Sequence, residues 1–462
     1  MKVSPEAVEG LEPIDQIEAA GLVEAPKAVA TGMRLNIRGR GIFLRGLKLP
    51  PRGIWKWLMI LGPGLIATSA GNDAGGIATY ASAGAKYGYR LIWVMILVTI
   101  SYAVVQEMCS RLGAATGRGL LDLIRERFGV TWTLFAIAII VVANGGVTIS
   151  EFVGIGAATE LFGLSKYISV PIAAAGLWYL IIFGSYARVE KIFLLMTLVF
   201  FSYPIAAILA KPDWAAVARG AAIPNVSLDS DYIFILVGLL GTTLTPYIQI
   251  FQQSSIVERG ASRKRYGQER LDAYFGSVFS NLMSISMIIA TAATLYVAGK
   301  SEINSAADAA KALEPVAGSS AMMLFAVGLL GASLLAGGVL PLATSYALSE
   351  AFGIPKGVNL DYRRGKVFFG LFTAFIVLGA VAALIPGIPI FPLLVGIQVL
   401  NGALLPIILV FIMLLINDKR LVGDLANSRT YNFLGWATVV LITAAVLVMF
   451  GAQIYGLMTG GG

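Results

Sequence analysis

A single carboxylate, Asp73, stands in the run Ala70-Gly71-Asn72-Asp73-Ala74-Gly75-Gly76, a glycine-loosened break inside an otherwise apolar stretch. Residues 54–69 and 77–85 on either side read as two half-helices of one membrane span. Hydrocarbon offers no partners to an interrupted backbone, so such a break is tolerated only beside a cavity or within protein. A charge near the bilayer centre is costly too, and where one occurs it marks a route or site for ions or solutes. Close helix packing would account for the glycines alone. It leaves Asp73 unexplained, so the break reads as a site for a small ion or solute.

Composition sets the class. The 462 residues are 57% hydrophobic and only 13% charged, against roughly 25% charged in soluble domains. An all-α polytopic membrane protein is expected. Apolar stretches near or above the ~20 residues needed to cross a bilayer recur at 54–83, 89–110, 132–157, 167–187, 192–210, 232–256, 274–298, 320–350, 366–385, 390–416 and 432–457. These make eleven spans, the first, sixth and eighth most interrupted by Gly, Pro and polar residues. The organisation expected is a tail over 1–53 and a transporter domain over 54–457, in two five-helix repeats (54–210 and 230–416) with an extra helix at 432–457. The polar first 50 residues hold no short apolar run before a small-residue cleavage site, so a cleaved signal peptide is not expected. Cys109, the single cysteine, reads as a small buried packing residue.

The charge balance of +8 is a matter of topology. With the N-terminus in the cytoplasm, all but seven of the 34 Lys and Arg fall on the inner side; the seven are Lys86, Arg90, Lys166, Lys211, Arg219, Lys300 and Lys311. This is the asymmetry of the positive-inside rule, not a nucleic-acid footprint. Basic and apolar residues interleave over Arg34–Lys48, which suits either a tail resting on the anionic inner leaflet or a solvated one. The chain has no histidine, which excludes histidine-ligated zinc and histidine proton relays.

A second break falls at Gly241-Thr242-Thr243-Leu244-Thr245-Pro246 in the sixth span. Pro246 lacks an amide hydrogen and opens the helix. The two breaks occupy corresponding positions in spans 1–5 and 6–10, and paired interrupted helices point to a midplane site in an inverted-repeat transporter. No nucleophile–base pair, redox motif or nucleotide-binding loop is present, so an enzyme is not expected.

The runs Gly62-Pro-Gly-Leu-Ile, Ala83-Gly-Ala-Lys-Tyr-Gly-Tyr89 and Gln106-Glu-Met-Cys-Ser-Arg-Leu-Gly113-Ala-Ala-Thr-Gly117, with the Asp73 break, resemble the NRAMP family of divalent metal transporters. The likeness is strongest over 61–129 and colinear to about 415, where Gln398-Val-Leu-Asn-Gly-Ala-Leu-Leu-Pro406 resembles the family's tenth helix. It implies a leucine-transporter-like fold and transport of Mn²⁺ or Fe²⁺ with protons.

Departures from the family pattern narrow that expectation. The family's Asp-Pro-Gly-Asn motif stands here as Asp73-Ala74-Gly75-Gly76, without the asparagine ligand. Its Met-Pro-His motif stands as Thr245-Pro246-Tyr247, which puts a hydroxyl where the family has a soft thioether. The resemblance further implies a carbonyl ligand at Thr242 and a site-lining glutamine at Gln398; Asn72 completes the candidate set. Thioethers help select transition metals over hard cations. Mg²⁺ keeps several waters and takes one or two carboxylates, so Asp73 with carbonyls, Thr245 and Gln398 suits a partly hydrated Mg²⁺, with Mn²⁺ also accepted. This combination resembles the NRAMP-related magnesium transporter branch; an aluminium-carrying branch that also lacks the methionine leaves a trivalent substrate open.

The family's proton route is depleted by the same comparison. Its sixth-helix histidines correspond to Tyr247 and Gln252, its third-helix aspartate to Thr148, three residues before a retained Glu151, and a helix-nine arginine to Phe368. Tyrosine and glutamine do not titrate near neutral pH. The expectation is uncoupled Mg²⁺ transport by alternating access, through a monomer in the plasma or bacterial inner membrane, without a resident cofactor or nucleic-acid partner. A proton-coupled Mn²⁺/Fe²⁺ symporter and a sodium-coupled organic-solute symporter are the alternatives.

Overall fold

The computed structural model describes residues 62–260, 263, 266–300, 303, 320–387 and 389–459, with 32–37 and 40–45 of the tail. The chain divides into two units, Met1–Met59 and Ile60–Gly462. In the first, strands β1 (Gly32–Ile37) and β2 (Arg40–Arg45) pair antiparallel, Met33 opposite Leu44 and Leu35 opposite Ile42. Met33, Leu35 and Ile37 of β1 alternate with polar residues at a strand period, whereas Ile42, Phe43 and Leu44 of β2 run consecutively. Residues 54–61, where the first span was expected to begin, lie outside the described residues.

The second unit is helical. The first span is broken into α1 (Pro63–Ala70) and α2 (Ala74–Tyr87). The next four are α3 (Ile92–Thr116), α4 (Leu120–Leu161), α5 (Lys166–Phe183) and α6 (Tyr186–Leu209). A short helix α7 (Trp214–Ala222) follows, which the hydropathy pattern did not signal. The sixth span is again broken, into α8 (Ser230–Thr243) and α9 (Pro246–Glu258). Then come α10 (Tyr266–Thr291), α11 (Ser320–Phe352), α12 (Lys366–Ala383), α13 (Ile390–Ile416), the single turn α14 (Lys419–Val422) and α15 (Arg429–Thr459). Among the described residues, ten helical stretches are long and apolar enough to cross a membrane by length and composition. With the split first span they give the eleven expected crossings.

Packing fixes the breaks in a rigid frame. α4 runs along α11 and α12, α8 along α13, and α10 along α1 and α3. α2 is clasped by α8, α10 and α13. Close approach is set by small residues: a Cβ on Gly241 would lie 2.0 Å from the Gln398 carbonyl oxygen and 2.4 Å from the Gly402 nitrogen, so only glycine lets α8 and α13 meet there. Buried carboxylates tie other joints. Glu350 on α11 accepts the Leu121 amide (3.2 Å) and the Ser254 hydroxyl (2.6 Å), joining α11, α4 and α9. Asp272 on α10 accepts the amides of Gly62 (3.1 Å), Gly64 (2.7 Å) and Leu65 (3.2 Å). Those are among the amides that a helix's first turn leaves without partners, and a carboxylate at the positive end of the dipole satisfies them. Cys109 is buried and free, as its packing role requires.

Candidate ion site at the two helix breaks

Asp73 is the N-cap of α2. Its backbone is extended, and its Oδ1 accepts the Gly76 amide at 2.5 Å, the usual way an aspartate closes the start of a helix. The fully buried carboxylate therefore sits at the positive end of α2, in the break where α1 and α2 part. From α13, Gln398 Nε2 donates to Asp73 Oδ1 at 2.8 Å, and Asn401 Nδ2 donates to Gln398 Oε1 at 3.0 Å. From α9, the Tyr247 hydroxyl donates to the Ala70 carbonyl at 2.6 Å and lies 3.4 Å from Asp73 Oδ2.

The second break supplies unengaged oxygens. Pro246 is four residues beyond Thr242 and has no amide hydrogen to return to the Thr242 carbonyl. The hydroxyls of Thr242 and Thr245 are buried and make no hydrogen bond of normal geometry among the described residues, although Tyr80 lies near the first and Tyr247 near the second. Buried polar groups are almost always satisfied, so two orphan hydroxyls at one break leave room for a ligand. Gly76 lies where the two breaks approach most closely. A Cβ there would come within 2.6 Å of Thr242 Oγ1 and 3.1 Å of both Asp73 Oδ1 and the Gly71 carbonyl. Oxygens from both breaks thus converge on the space a side chain at 76 would take.

The structure brings Asp73, Gly76, Thr242 and Gln398 together, with Thr245 beside Tyr247 at the same break. Asn72 is placed differently. Its Nδ2 donates to the Ser280 carbonyl (3.1 Å) and hydroxyl (3.2 Å), and its Oδ1 accepts from Ser284 at 2.6 Å. Both ends of the amide are engaged by α10, so Asn72 anchors the break instead of facing the oxygen cluster. Two residues that the sequence reading did not single out join the site: Asn401, which orients Gln398 from one helical turn on, and Ala70, whose carbonyl Tyr247 holds. The Gln398–Asn401 spacing of three on a helix puts both on one face and was a signal open to use.

Among the described residues no three His, Cys, Asp or Glu side chains are grouped to hold a metal. The positions that the resemblance aligned with the family's proton route lie within the protein. Thr148 donates to the Asn144 carbonyl (2.7 Å), Gln252 to Ser110 Oγ (2.8 Å), and Phe368 is buried against Tyr346 with ring centroids 5.0 Å apart. Glu151 accepts the Ala74 amide at 3.1 Å and the Ser150 hydroxyl at 3.0 Å. Glu107 is paired with Arg111 at 2.8 Å, and Glu160 is exposed.

Residues 64–452 match the family model described as natural resistance-associated macrophage protein-like. Among curated proteins, a divalent metal cation transporter MntH of Yersinia pestis (strain Pestoides F) is 28% identical over 396 residues, covering 83% of this chain and 93% of the relative. The protein of the same name from Yersinia pseudotuberculosis matches equally. Among solved structures, the manganese transporter of Eremococcus coleocola superposes with a TM-score of 0.71 at 17% identity, covering 88% of this chain and 89% of that one. MhsT in complex with L-phenylalanine reaches 0.55 at 16% identity, covering 84% and 97%. These structural likenesses establish the fold, a leucine-transporter-like repeat with its first and sixth helices broken.

Proposed function

The chain belongs to the NRAMP family, and we propose that it carries divalent metal cations across a membrane, with Mg²⁺ as its principal substrate and Mn²⁺ accepted. The observation that carries this reading is the all-oxygen lining of the break. Asp73, the Thr242 carbonyl and hydroxyl and Thr245 offer hard oxygen donors and no sulfur, and Gln398 can add its oxygen by turning its amide over. Soft ligands favour transition metals, whereas carboxylate, carbonyl and water suit Mg²⁺ and Mn²⁺. Similarity to a divalent metal cation transporter and to a manganese transporter supports the substrate class.

Asp73 supplies the electrostatic attraction, strengthened by its burial and opposed by the loss of the ion's outer waters. The oxygens around Gly76 are packed too closely in this arrangement to admit a water shell, so in this reading a partly hydrated Mg²⁺, which dehydrates reluctantly, enters only as the two breaks part. Alternating access then moves the two breaks relative to the surrounding helices. Transport is uncoupled from protons in this reading, since Tyr247 and Gln252 cannot take up a proton near neutral pH. In this reading the N-terminus faces the cytoplasm, which the distribution of Lys and Arg supports. An inside-negative potential drives uptake by about 4.6 kcal/mol per divalent ion per 100 mV. The monomer contains both breaks and suffices.

The test is uptake into proteoliposomes at a clamped potential with internal pH followed in the same vesicles. Saturable Mg²⁺ entry without acidification is the expected result. Mn²⁺ entry with protons, and no Mg²⁺ entry, would return the chain to proton-coupled manganese transport. Sodium-dependent uptake of an amino acid would favour an organic-solute symporter, a reading that the buried anion Asp73 opposes.

A further inference from the structure

Far from the ion site, a cavity of about 640 Å³ opens between the start of α4, the end of α13, α14 and the start of α15. It is charged at one end and apolar along the other. At the charged end Asp418 is already committed: its Oδ2 pairs with Arg127 at 2.7 Å and its Oδ1 accepts the Arg420 amide at 2.9 Å. Lys419 and Arg420 also line the cavity, both exposed, and among the described residues neither has a carboxylate within ion-pair distance. The cavity therefore presents two uncompensated cations on adjacent residues. Its apolar wall includes Leu414 and Trp436, which are 43% and 39% exposed on the flank of two membrane spans.

We propose that this cavity is a binding site for an anionic phospholipid, whose headgroup lies on Lys419 and Arg420 and whose acyl chain runs along Leu414 and Trp436. Charge complementarity selects the occupant. A zwitterionic headgroup brings a cation of its own, and the one carboxylate that could receive it is held by Arg127. A soluble phosphate would satisfy the two cations and leave the flanking apolar wall unused. Tryptophan at the headgroup level is the usual interfacial arrangement, and basic pockets between spans suit anionic lipid. The leaflet is the cytoplasmic one in the orientation proposed above, and the site itself does not depend on the identity of the transported ion.

The test places the full chain in nanodiscs containing a minor fraction of brominated phosphatidylglycerol or, separately, of brominated phosphatidylcholine. Each nanodisc presents its brominated lipid on both faces, so the result is independent of orientation and of transport. The quenching assigned to Trp436, taken as the difference from Trp436→Phe, is expected to be several-fold greater with the anionic lipid. The double variant Lys419→Gln/Arg420→Gln, changed only at exposed positions, should reduce it to the phosphatidylcholine level. Added inorganic phosphate should leave it unchanged. Equal quenching by the two lipids, or no effect of the double variant, would overturn the proposal. Displacement by inorganic phosphate would overturn the choice of a lipid and identify a soluble-anion site.

Discussion

Gln398 points its amide nitrogen, not its oxygen, at Asp73, with Nε2 donating to Oδ1 at 2.8 Å. The orientation is held from behind by Asn401, which donates to Gln398 Oε1 at 3.0 Å. A cation at Asp73 competes with that donor, and Gln398 becomes a metal ligand only by turning over, which breaks both hydrogen bonds. Replacing Asn401 by alanine removes the bond that disfavours the turn, worth about 1 kcal/mol. The half-saturating Mg²⁺ concentration for uptake should then fall roughly fivefold. No change in that concentration would mean that Gln398 does not turn and instead serves a metal-bound water.

Asp73 has two roles that a single substitution can separate. As the N-cap of α2 it needs only an oxygen acceptor for the Gly76 amide, whereas cation binding needs its charge. Asparagine is as good a cap as aspartate. Asp73→Asn should therefore keep the folded yield and thermal midpoint of the parent while saturable uptake of both Mg²⁺ and Mn²⁺ drops to the level of empty vesicles. Retained saturable uptake in a folded Asp73→Asn protein would remove Asp73 from the site.

The two breaks were legible because each violates a strong local rule. Asp73 is an ionisable group in an apolar run, and Pro246 is a helix breaker in a span long enough to cross a membrane. What surrounds them was less so. Which way Asn72 faces is decided by Ser280 and Ser284, two hundred residues later in the chain, and no local pattern carries that information. Asp272 falls at the margin of the seventh hydropathy segment, where a charge looks like a loop residue. Its partners are backbone amides of α1, which have no sequence signature. The pairing of β1 with β2 was not legible, because interleaved basic and apolar residues suit a tail on the inner leaflet and a solvated tail equally well.

Selectivity should follow the chemistry and the space at the second break separately. Thr245→Met restores a soft donor and is expected to shift uptake toward Mn²⁺ over Mg²⁺. Gly76→Asn adds a donor but also bulk, since its Cβ would meet Thr242 Oγ1 at 2.6 Å. Overpacking of this kind costs about 1–3 kcal/mol, so Gly76→Asn alone should lower the thermal midpoint, and Thr242→Ala in the same chain should recover part of the loss. Competition of each metal for uptake of the other gives the ratio. An unchanged ratio in Thr245→Met, with a changed one in the Gly76→Asn/Thr242→Ala double variant, would assign selectivity to cavity shape.

Asp272 holds the half-helix that the proposed alternating access would move. Its carboxylate gathers three amides at the start of α1, and further along the same helix Ser280 donates to the Thr68 carbonyl at 2.6 Å. Opening the site toward the face where α1 begins requires α1 to leave α10, and released amides can then bond to water. Asp272→Ala penalises the docked arrangement, where the amides become orphans, more than the released one. A shift of about 2 kcal/mol, or roughly thirtyfold in the equilibrium, is expected. A cysteine at Thr68 in a Cys109→Ala background reports it through its rate of modification by an impermeant maleimide added on that face. Faster labelling in Asp272→Ala, with Asp272→Asn intermediate because one oxygen acceptor remains, would identify the carboxylate as the latch of this gate. Equal labelling in all three would place the moving joint elsewhere, with α1 fixed to α10 throughout the cycle.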